Sequence, residues 1–225
     1  MSCVGSFCFP SYLRGAVLET WPEALPGCEQ VLRYVRDPVG YAQETITKLK
    51  ESGEFVNLAA NADFDEEEVV LDNGRTSTYV EGGPPAGWDT WQRETSEGTF
   101  SWDRETDATS DGSARMEGVV YGCFHQQQHP VLPGRRYAIR AVRRIEGNGV
   151  AFIRVRWKTA DNDWTQEALD RLIFCPGPRD EWSELFGVAE VPDGVDRLVI
   201  LLSVTDQRSS ADIVWYDDVE LCQLP

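Results

Sequence analysis

The chain has 225 residues, of which 41% are hydrophobic, so it can form one sizeable β domain with an appendage or two small domains. Its 21 basic and 38 acidic residues give a net charge of −17, and residues 57–225 carry 16 of the basic and 31 of the acidic ones. Such an acidic field disfavours nucleic acids and anionic membranes, and it suits neutral ligands or cations. No apolar run is long enough to span a bilayer, and the first ten residues lack the pattern of a signal peptide.

Six cysteines are spread along the chain, three on each side of residue 57, and none forms a C-x-x-C pair. With only two histidines, this spacing does not match a structural zinc site. Each part of the chain has an odd number of cysteines, so disulfides formed within one part would leave one of its thiols unpaired. The sequence therefore favours mostly free, buried thiols. The residues concerned are Cys3, Cys8, Cys28, Cys123, Cys175 and Cys222.

Residues 28–52 have a helical pattern. Asp37 suits the N-terminal cap of a helix, and Pro38 suits its first turn. Apolar residues then recur at spacings of three and four, which predicts one apolar face that packs on the following domain or on a partner. We therefore predict a first segment, residues 1–56, of coil followed by helix. The apolar face consists of Val39, Ala42, Ile46 and Leu49, and Gly53 follows as a stop signal.

From Asn57 onward the chain consists of short runs rich in Val, Ile, Trp, Tyr and Phe, separated by turn signals such as EGNG and VPDGVD. In YAIRAVRRI and AFIRVRWKT, apolar residues alternate with arginines, which is typical of half-buried antiparallel strands. Eight or more such strands without interleaved helices predict an all-β fold. The expected architecture is an antiparallel jelly-roll β-sandwich over residues 57–225, with a short N-terminal helical extension.

Six motifs follow one another in this part of the chain: NLAANADFD, PPAGWDTW, DGSARMEG, VLPGRRYAIRAVRR, EWSELFGVAEVPDG and VWYDDVELCQL. Their order resembles the galactose-binding-like β-sandwich carbohydrate-binding modules, especially families four, nine and twenty-two. The resemblance covers residues 57–225 and implies a polysaccharide or oligosaccharide ligand. The helical stretch before them resembles the tail of a glycoside-hydrolase-like domain. This implies an upstream catalytic domain as partner and a secreted or cell-surface location.

The same resemblance implies a structural calcium ion where the first and last strands meet. It assigns as ligands Asp65, which follows Phe64, and Asp217, the first acid of YDDVEL. Glu66 is an alternative to Asp65 because the acidic run continues, and residues around Asp111 would complete the shell. Strand parity predicts that Asp217 points inward, on the same side as Val219 and Leu221. The alternative is that all these acids form a solvated face or pair with arginines.

A sugar site needs flat aromatic faces for the pyranose C–H groups and planar hydrogen-bonding groups for the hydroxyls. Tryptophans beside polar residues near loops, and the run YGCFHQQQHP on a strand approaching a turn, offer both. Alternate members of that run face one side, so we expect Gln126 and Gln128 on the binding face. The alternatives are core packing for the tryptophans and an exposed edge strand for the glutamines. The candidates are Trp91, Trp102, Trp164, Tyr121, His125, Gln126, Gln128 and Arg154.

The leading interpretation is a non-catalytic module that brings a polysaccharide-degrading enzyme to its substrate. A second is a structural spacer that docks to its own catalytic domain and binds no sugar. A third is a β-sandwich lyase or hydrolase, for which His125 with Tyr121 is the credible acid/base pair. Abundant arginine suits carboxylated or sulfated glycans, whereas the net charge argues for a neutral β-linked polysaccharide, which we expect.

Overall fold

A computed structural model describes residues 29–71, 73–109, 112–126, 129–174 and 177–225. The chain divides into two compact units, residues 1–44 and 45–225. The division falls within a helix and earlier than the predicted boundary after residue 56. No helix in the described ranges combines the length and apolar character that crossing a membrane requires.

Two helices, α1 (Glu29–Arg36) and α2 (Pro38–Ser52), meet at Asp37. The Asp37 carboxylate accepts the backbone N–H of Gly40 at 2.9 Å, which caps α2 as predicted. Pro38 opens the helix at a position where no N–H is needed. On the predicted apolar face, Ala42 and Ile46 are buried, whereas Val39 is 36% exposed. The C-terminal turn of α2 contributes an ion pair from Lys50 to Glu220 at 2.8 Å.

The remainder is an antiparallel β-sandwich, which confirms the predicted all-β fold class. A hairpin of β1 (Glu68–Val70) and β2 (Thr76–Thr78) precedes the two main sheets. Sheet I has the order β10-β9-β12-β6-β3, with β7 beside β12, and sheet II has the order β11-β8-β13-β5-β4. Most successive strands alternate between the two sheets, as in a jelly roll. The strands of sheet I are β3 (Trp88–Gln92), β6 (Tyr121–Gln126), β7 (His129–Pro130), β9 (Val150–Lys158), β10 (Arg171–Phe174) and β12 (Arg197–Thr205). Those of sheet II are β4 (Thr99–Asp103), β5 (Ser113–Glu117), β8 (Arg136–Glu146), β11 (Ser183–Glu190) and β13 (Ile213–Gln223).

The core lies between the sheets and is built from alternate residues of each strand. In β9, Ile153, Val155 and Trp157 are buried in it, while Arg154 and Arg156 between them point away. This alternation gives sheet I one apolar inner side and one polar outer side. Trp157 is 1% exposed, and its indole N–H donates to the Leu169 carbonyl at 2.9 Å.

The stretch FVNLA runs beside a β-bulge in β13, between Asp217 and Glu220. The Asn57 side chain donates to the Val219 carbonyl at 2.8 Å and accepts the Leu221 N–H at 2.9 Å. The core contains Tyr216, Val219 and Leu221. Because Tyr216 and Val219 are three residues apart but point to the same side, the bulge adds one residue between them. The prediction that Asp217 shares strand parity with Val219 and Leu221 is therefore wrong. Asp217 is still fully buried, because the loop that contains Ala108 covers it.

The Asp212 carboxylate joins two turns at one end of the sandwich. It accepts backbone N–H groups from Asn148 at 2.6 Å, Arg208 at 2.7 Å and Ser209 at 3.0 Å. These hydrogen bonds lower the pKa of Asp212 from its ordinary value of 3.8 to about 2. A carboxyl group whose pKa is lower in the folded state than in the unfolded state stabilises the fold at pH values above the unfolded-state pKa. This stabilisation is lost as the pH falls through the folded-state pKa.

We therefore expect Asp212→Asn to lower the melting temperature at pH 7, because an amide presents one acceptor instead of two. The difference in melting temperature between this variant and the wild type should become smaller as the pH falls from about 4 to about 2, because the wild-type carboxylate becomes protonated in this range. The measurement is thermal unfolding followed by circular dichroism across this range. Asp206→Asn, in the same connection and exposed, is the control. A difference between Asp212→Asn and wild type that stays constant down to pH 2 would contradict this explanation.

Candidate functional site

One side of sheet I points away from the core and carries aromatic, basic and small residues. Directly opposed residues of an antiparallel sheet point to the same side, so the register defines rows across the strands. A first row contains Phe174, Phe152, Ser203, Cys123 and Trp91, and a second contains Leu172, Arg154, Leu201, His125 and Asp89. Tyr121, Arg156, Val199, Lys158 and Arg197 continue the same side. We call this surface the outer face of sheet I.

Small residues occupy the centre of the first row. Ser203 and Cys123 are each 3% exposed, whereas Trp91 and Phe174 at the two ends are 50% and 55% exposed. Large exposed rings therefore stand at both ends of a row whose middle consists of covered side chains, including Phe152 at 6% exposure. We call the stretch of this row between Trp91 and Phe174 the trough. Burial raises the pKa of the Cys123 thiol to about 12, so this thiol is uncharged at neutral pH. The trough therefore combines an uncharged floor with apolar ring faces, which suits a flat ligand with apolar surfaces.

Trp91 is held by neighbours that fix its orientation. Its ring meets the Tyr121 ring edge to face, with centroids 5.7 Å apart. The Tyr121 ring also packs under the guanidinium of Arg93 at 4.9 Å, and its hydroxyl accepts a hydrogen bond from Arg154 at 3.0 Å. A ring that is half exposed yet positioned by such contacts presents a pre-organised stacking surface.

Arg154 connects this aromatic pair to the opposite side of the face. Its Nε donates to Asp170 at 2.7 Å, and Asp170 also lies 3.2 Å from Nε of Arg156. Asp170 directly follows the 3-10 helix Glu167–Leu169, which the Trp157 indole holds through the Leu169 carbonyl. Burial disfavours the charge of Arg154, but the hydrogen bond and charge of Asp170 outweigh it, so its pKa is raised. The arginines are therefore fixed donors on the outer face.

His125 stands opposite Asp89 in the second row. Burial lowers the pKa of His125, and Asp89 only partly opposes this effect. At neutral pH the imidazole is therefore mostly uncharged and offers one donor and one acceptor. Asp89 is exposed, so this edge of the outer face carries acceptors, whereas the β9 side carries donors.

Five of the predicted ligand residues come together on the outer face: Trp91, Trp164, Tyr121, His125 and Arg154. Trp164 belongs to the loop after β9 and lies over Arg156, with the guanidinium carbon 4.4 Å from the ring centroid. Trp102 is instead on β4 of sheet II, 8% exposed, and packs on Tyr79. Gln128 lies outside the described residues.

Gln126 points to the inner side of sheet I, because His125 before it points outward. It is 1% exposed, and both ends of its amide bond the backbone of Ala60, accepting its N–H at 2.9 Å and donating to its carbonyl at 2.6 Å. The predicted position on the binding face therefore differs from the one observed. Gln126 links Ala60, the residue directly after the FVNLA stretch, to β6 instead of facing a ligand.

Sequence reasoning missed the trough floor and the residue that holds the arginines. Ser203 and Cys123 carry no stacking or charged group, so nothing in the sequence sets them apart. Asp170 lies in a loop, and only its proximity to Arg154 and Arg156 gives it a role. Phe174 could have been identified from the sequence, because it ends the short apolar run RLIF directly before a turn.

The predicted metal ligands do not form a cluster in the described ranges. Asp65 and Glu66 are exposed, Asp217 is buried, and Asp111 lies outside these ranges. Both Asp217 oxygens accept backbone N–H groups, from Ala108 at 2.8 Å and Asp218 at 2.7 Å. Within the described ranges, no three His, Cys, Asp or Glu side chains converge as metal ligands would.

Comparisons with known proteins found no matching family model and no matching curated protein. Among solved structures, the chain is similar to the bacteriophage CBA120 tailspike protein 4 enzymatically active domain, with a TM-score of 0.51 and 14% identity. The match covers 75% of this chain but only 22% of the tailspike domain. At this identity the likeness shows a shared fold and nothing more.

Weaker likenesses exist to isolated modules. A structure described as "CBM4 structure and function" has a TM-score of 0.46 at 19% identity, covering 74% of this chain and 99% of that one. The CBM22-1 xylan-binding domain of Paenibacillus barcinonensis Xyn10C has a TM-score of 0.45 at 14% identity, covering 64% and 89%. These two likenesses are too distant to carry an argument about function.

Proposed function

We propose that the chain is a non-catalytic carbohydrate-binding module whose ligand lies across the outer face of sheet I. The observation that carries this proposal is the half-exposed Trp91, fixed by Tyr121, beside the uncharged floor of Ser203 and Cys123. Pyranose rings present apolar C–H faces that stack on such a ring, and Arg154, Arg156 and His125 surround it with hydrogen-bonding groups.

The test is affinity electrophoresis of the full chain in native gels that contain soluble polysaccharides of different backbones. We expect at least one polysaccharide to retard the chain without being shortened. Retardation should disappear when an oligosaccharide of the same backbone competes. A folded chain that no polysaccharide retards would reject the binding proposal and favour the structural spacer.

Catalysis by His125 and Tyr121 is disfavoured by their positions. They are four residues apart on one strand, which places their Cα atoms about 13 Å apart. The Tyr121 hydroxyl is engaged by Arg154 at 3.0 Å. An acid/base pair needs both groups within hydrogen-bond reach of the same reacting atoms. Product analysis after long incubation with each retarding polysaccharide tests this alternative, and new reducing ends would overturn the non-catalytic assignment.

We also propose that the chain works beside a catalytic domain, outside the cell or on its surface. The support is chemical, because structural polysaccharides are mostly extracellular polymers and a non-catalytic module gains a role by holding an enzyme near them. The helical segment that precedes the sandwich is the natural connection to such a domain. Co-purification of the native protein with polysaccharide-degrading activity tests this part.

Calcium remains a proposal at the buried Asp217, beside the bulge in the middle of β13. Burial raises the pKa of Asp217 to about 6, and the pKa of Asp63 is raised by burial and by its acidic neighbours Asp218, Asp65 and Glu220. A divalent cation would relieve this repulsion. The described side chains do not supply a complete shell, so the proposal requires backbone oxygens and residues around Asp111.

Titration calorimetry of chelator-treated protein with CaCl₂ tests the calcium proposal. We expect uptake of one ion and a higher melting temperature, with both effects lost in Asp217→Asn. Asp206→Asn should bind calcium as the wild type does. Absence of calcium uptake by the folded wild type would reject the site and leave Asp217 as a carboxyl group that only the backbone stabilises.

A further inference from the structure

The two ends of the trough differ in chemistry. At the β3 end, Asp89 and His125 stand in the row next to Trp91, so a carboxylate and an imidazole adjoin the stacking ring. At the β10 end, the outward side chains of β10 and of the first three residues of β9 are hydrocarbon. We call these side chains the apolar end: Phe174, Leu172, Phe152 and Val150.

The apolar end combines an accessible surface with a packed base. Phe174 is 55% exposed, Leu172 45% and Val150 41%, whereas Phe152 is 6% exposed. The ring centroids of Phe174 and Phe152 are 5.2 Å apart, with an angle of 30° between the ring planes. A half-exposed ring that rests on a buried one presents a fixed apolar surface.

Hydrogen-bonding groups near the apolar end are engaged within the protein or lie further away. Arg154 on β9 donates from Nε to Asp170 and from a terminal nitrogen to the Tyr121 hydroxyl. Ser203 and Thr205 belong to β12, which lies two strand spacings, about 10 Å, from β10. A sugar hydroxyl turned toward β10 would therefore lose water without gaining a partner, which is unfavourable.

The size and position of the apolar end indicate what covers it. A stable protein–protein interface takes about 20–30 residues from each partner, whereas three half-exposed side chains form this surface. The apolar end also continues the row that ends in Trp91, the proposed stacking surface for the glycan. A small apolar group carried by the same glycan therefore fits this surface better than a protein partner. On a neutral sugar, such a group is an acyl ester or an alkyl ether of a hydroxyl.

We infer that the apolar end binds an apolar substituent of a sugar unit, either an O-acetyl ester or an O-methyl ether. This inference rests on the proposed function and names its ligand class, a neutral polysaccharide that carries such substituents. Burial of the methyl group on Phe174 and Leu172 supplies the preference. The net charge of −17 does not oppose a neutral substituent.

The experiment uses matched oligosaccharides of each backbone that retards the chain: unsubstituted, with one O-acetyl group, and with one O-methyl group, placed at each hydroxyl position in turn. Titration calorimetry should give about fourfold tighter binding for a substituted member, as expected for burial of one methyl group. Tighter binding of only the ester or only the ether identifies which group is recognised. Equal binding of all members would overturn the inference and leave the proposed function standing, whereas binding to no oligosaccharide would overturn both.

Two variants locate the preference. Phe174→Ser and Leu172→Ser should each reduce it to within about twofold, because the methyl group loses its apolar contact. The readout is the ratio of the affinities for the substituted and unsubstituted members, since a loss of stability or of stacking lowers both affinities. Phe186→Ser, at a partly exposed phenylalanine on sheet II, is the matched control and should keep the ratio. A preference that survives in both variants would place the substituent elsewhere and overturn the inference.

A second copy of the chain is the competing occupant of the apolar end. Sedimentation velocity of the wild type and of Phe174→Ser over a range of concentrations tests it. We expect the two proteins to sediment alike. A wild-type dimer that Phe174→Ser dissociates would assign the apolar end to self-association and overturn the inference.

Discussion

Replacing Trp91 by alanine should weaken glycan binding by about tenfold to a hundredfold, which corresponds to about 1.4 to 2.8 kcal/mol. Trp91 is 50% exposed and stands at one end of the trough, so its ring face is available to cover apolar pyranose surface. Removing the ring also removes its edge contact with Tyr121, which should cost stability by only about 1 kcal/mol. Titration calorimetry with the glycan that retards the wild type gives the affinity, and thermal unfolding gives the stability.

The control for Trp91→Ala is Phe186→Ala. Phe186 is a partly exposed aromatic residue on β11, and it pairs with Arg140 on the outer side of sheet II. We expect this variant to bind glycan as the wild type does, because the proposed ligand does not reach sheet II. Equal losses in the two variants would indicate a general effect of aromatic removal, and an unchanged affinity in Trp91→Ala would place the ligand elsewhere.

Replacing Trp157 by alanine should lower the free energy of unfolding by about 3–5 kcal/mol, the range for a buried aromatic residue. Trp157 is 1% exposed in the core, and its indole N–H holds the Leu169 carbonyl ahead of Asp170. For a domain of this size the melting temperature should fall by about 10 °C. The loop that fixes Arg154 through Asp170 should loosen, so glycan affinity should also fall in the protein that remains folded.

Trp157→Phe separates packing from hydrogen bonding at the same site. It keeps most of the ring volume and leaves the Leu169 carbonyl without its donor, so we expect a loss of about 1 kcal/mol. Val80→Ala, at a residue that is 72% exposed, should change stability by less than about 0.5 kcal/mol. Chemical denaturation of the three variants gives these values. A Trp157→Ala protein as stable as Val80→Ala would contradict the packing described for the core.

The sandwich could be predicted from the sequence because the physical signal is local. The alternation of apolar residues and arginine in β8 and β9 directly reflects a half-buried strand. Asp37 and Pro38 define the start of α2 in the same way, since capping depends on neighbours within one turn. Such features do not depend on which strand lies beside which.

The site could be predicted only in part, because it depends on register between distant strands. Trp91, Tyr121 and Arg154 were found from residue type, but their association follows from the pairing of β3, β6, β12 and β9. Gln126 has the residue type of a ligand-binding group, but its neighbour His125 takes the outward position. Trp102 is similarly assigned to the interior by its pairing with Ala114.

Asp217 illustrates a different limit. Its position was inferred from a regular two-residue period, which a bulge interrupts between Asp217 and Glu220. Asn57, 160 residues earlier in the chain, bonds the backbone on the far side of that bulge. A local pattern in β13 does not contain this partner, so the irregularity becomes visible only in the folded chain.

If glycan binds on the outer face of sheet I, the indole N–H signals of the tryptophans should report the contact. In ¹H–¹⁵N spectra, with signals assigned through single Trp→Phe variants, added glycan should shift Trp91 and Trp164. The indoles of Trp88, Trp157 and Trp215 donate to Asn61, Leu169 and Asp103 within the protein and should stay unchanged. Shifts confined to Trp102 or Trp215, on sheet II, would contradict binding on the outer face of sheet I.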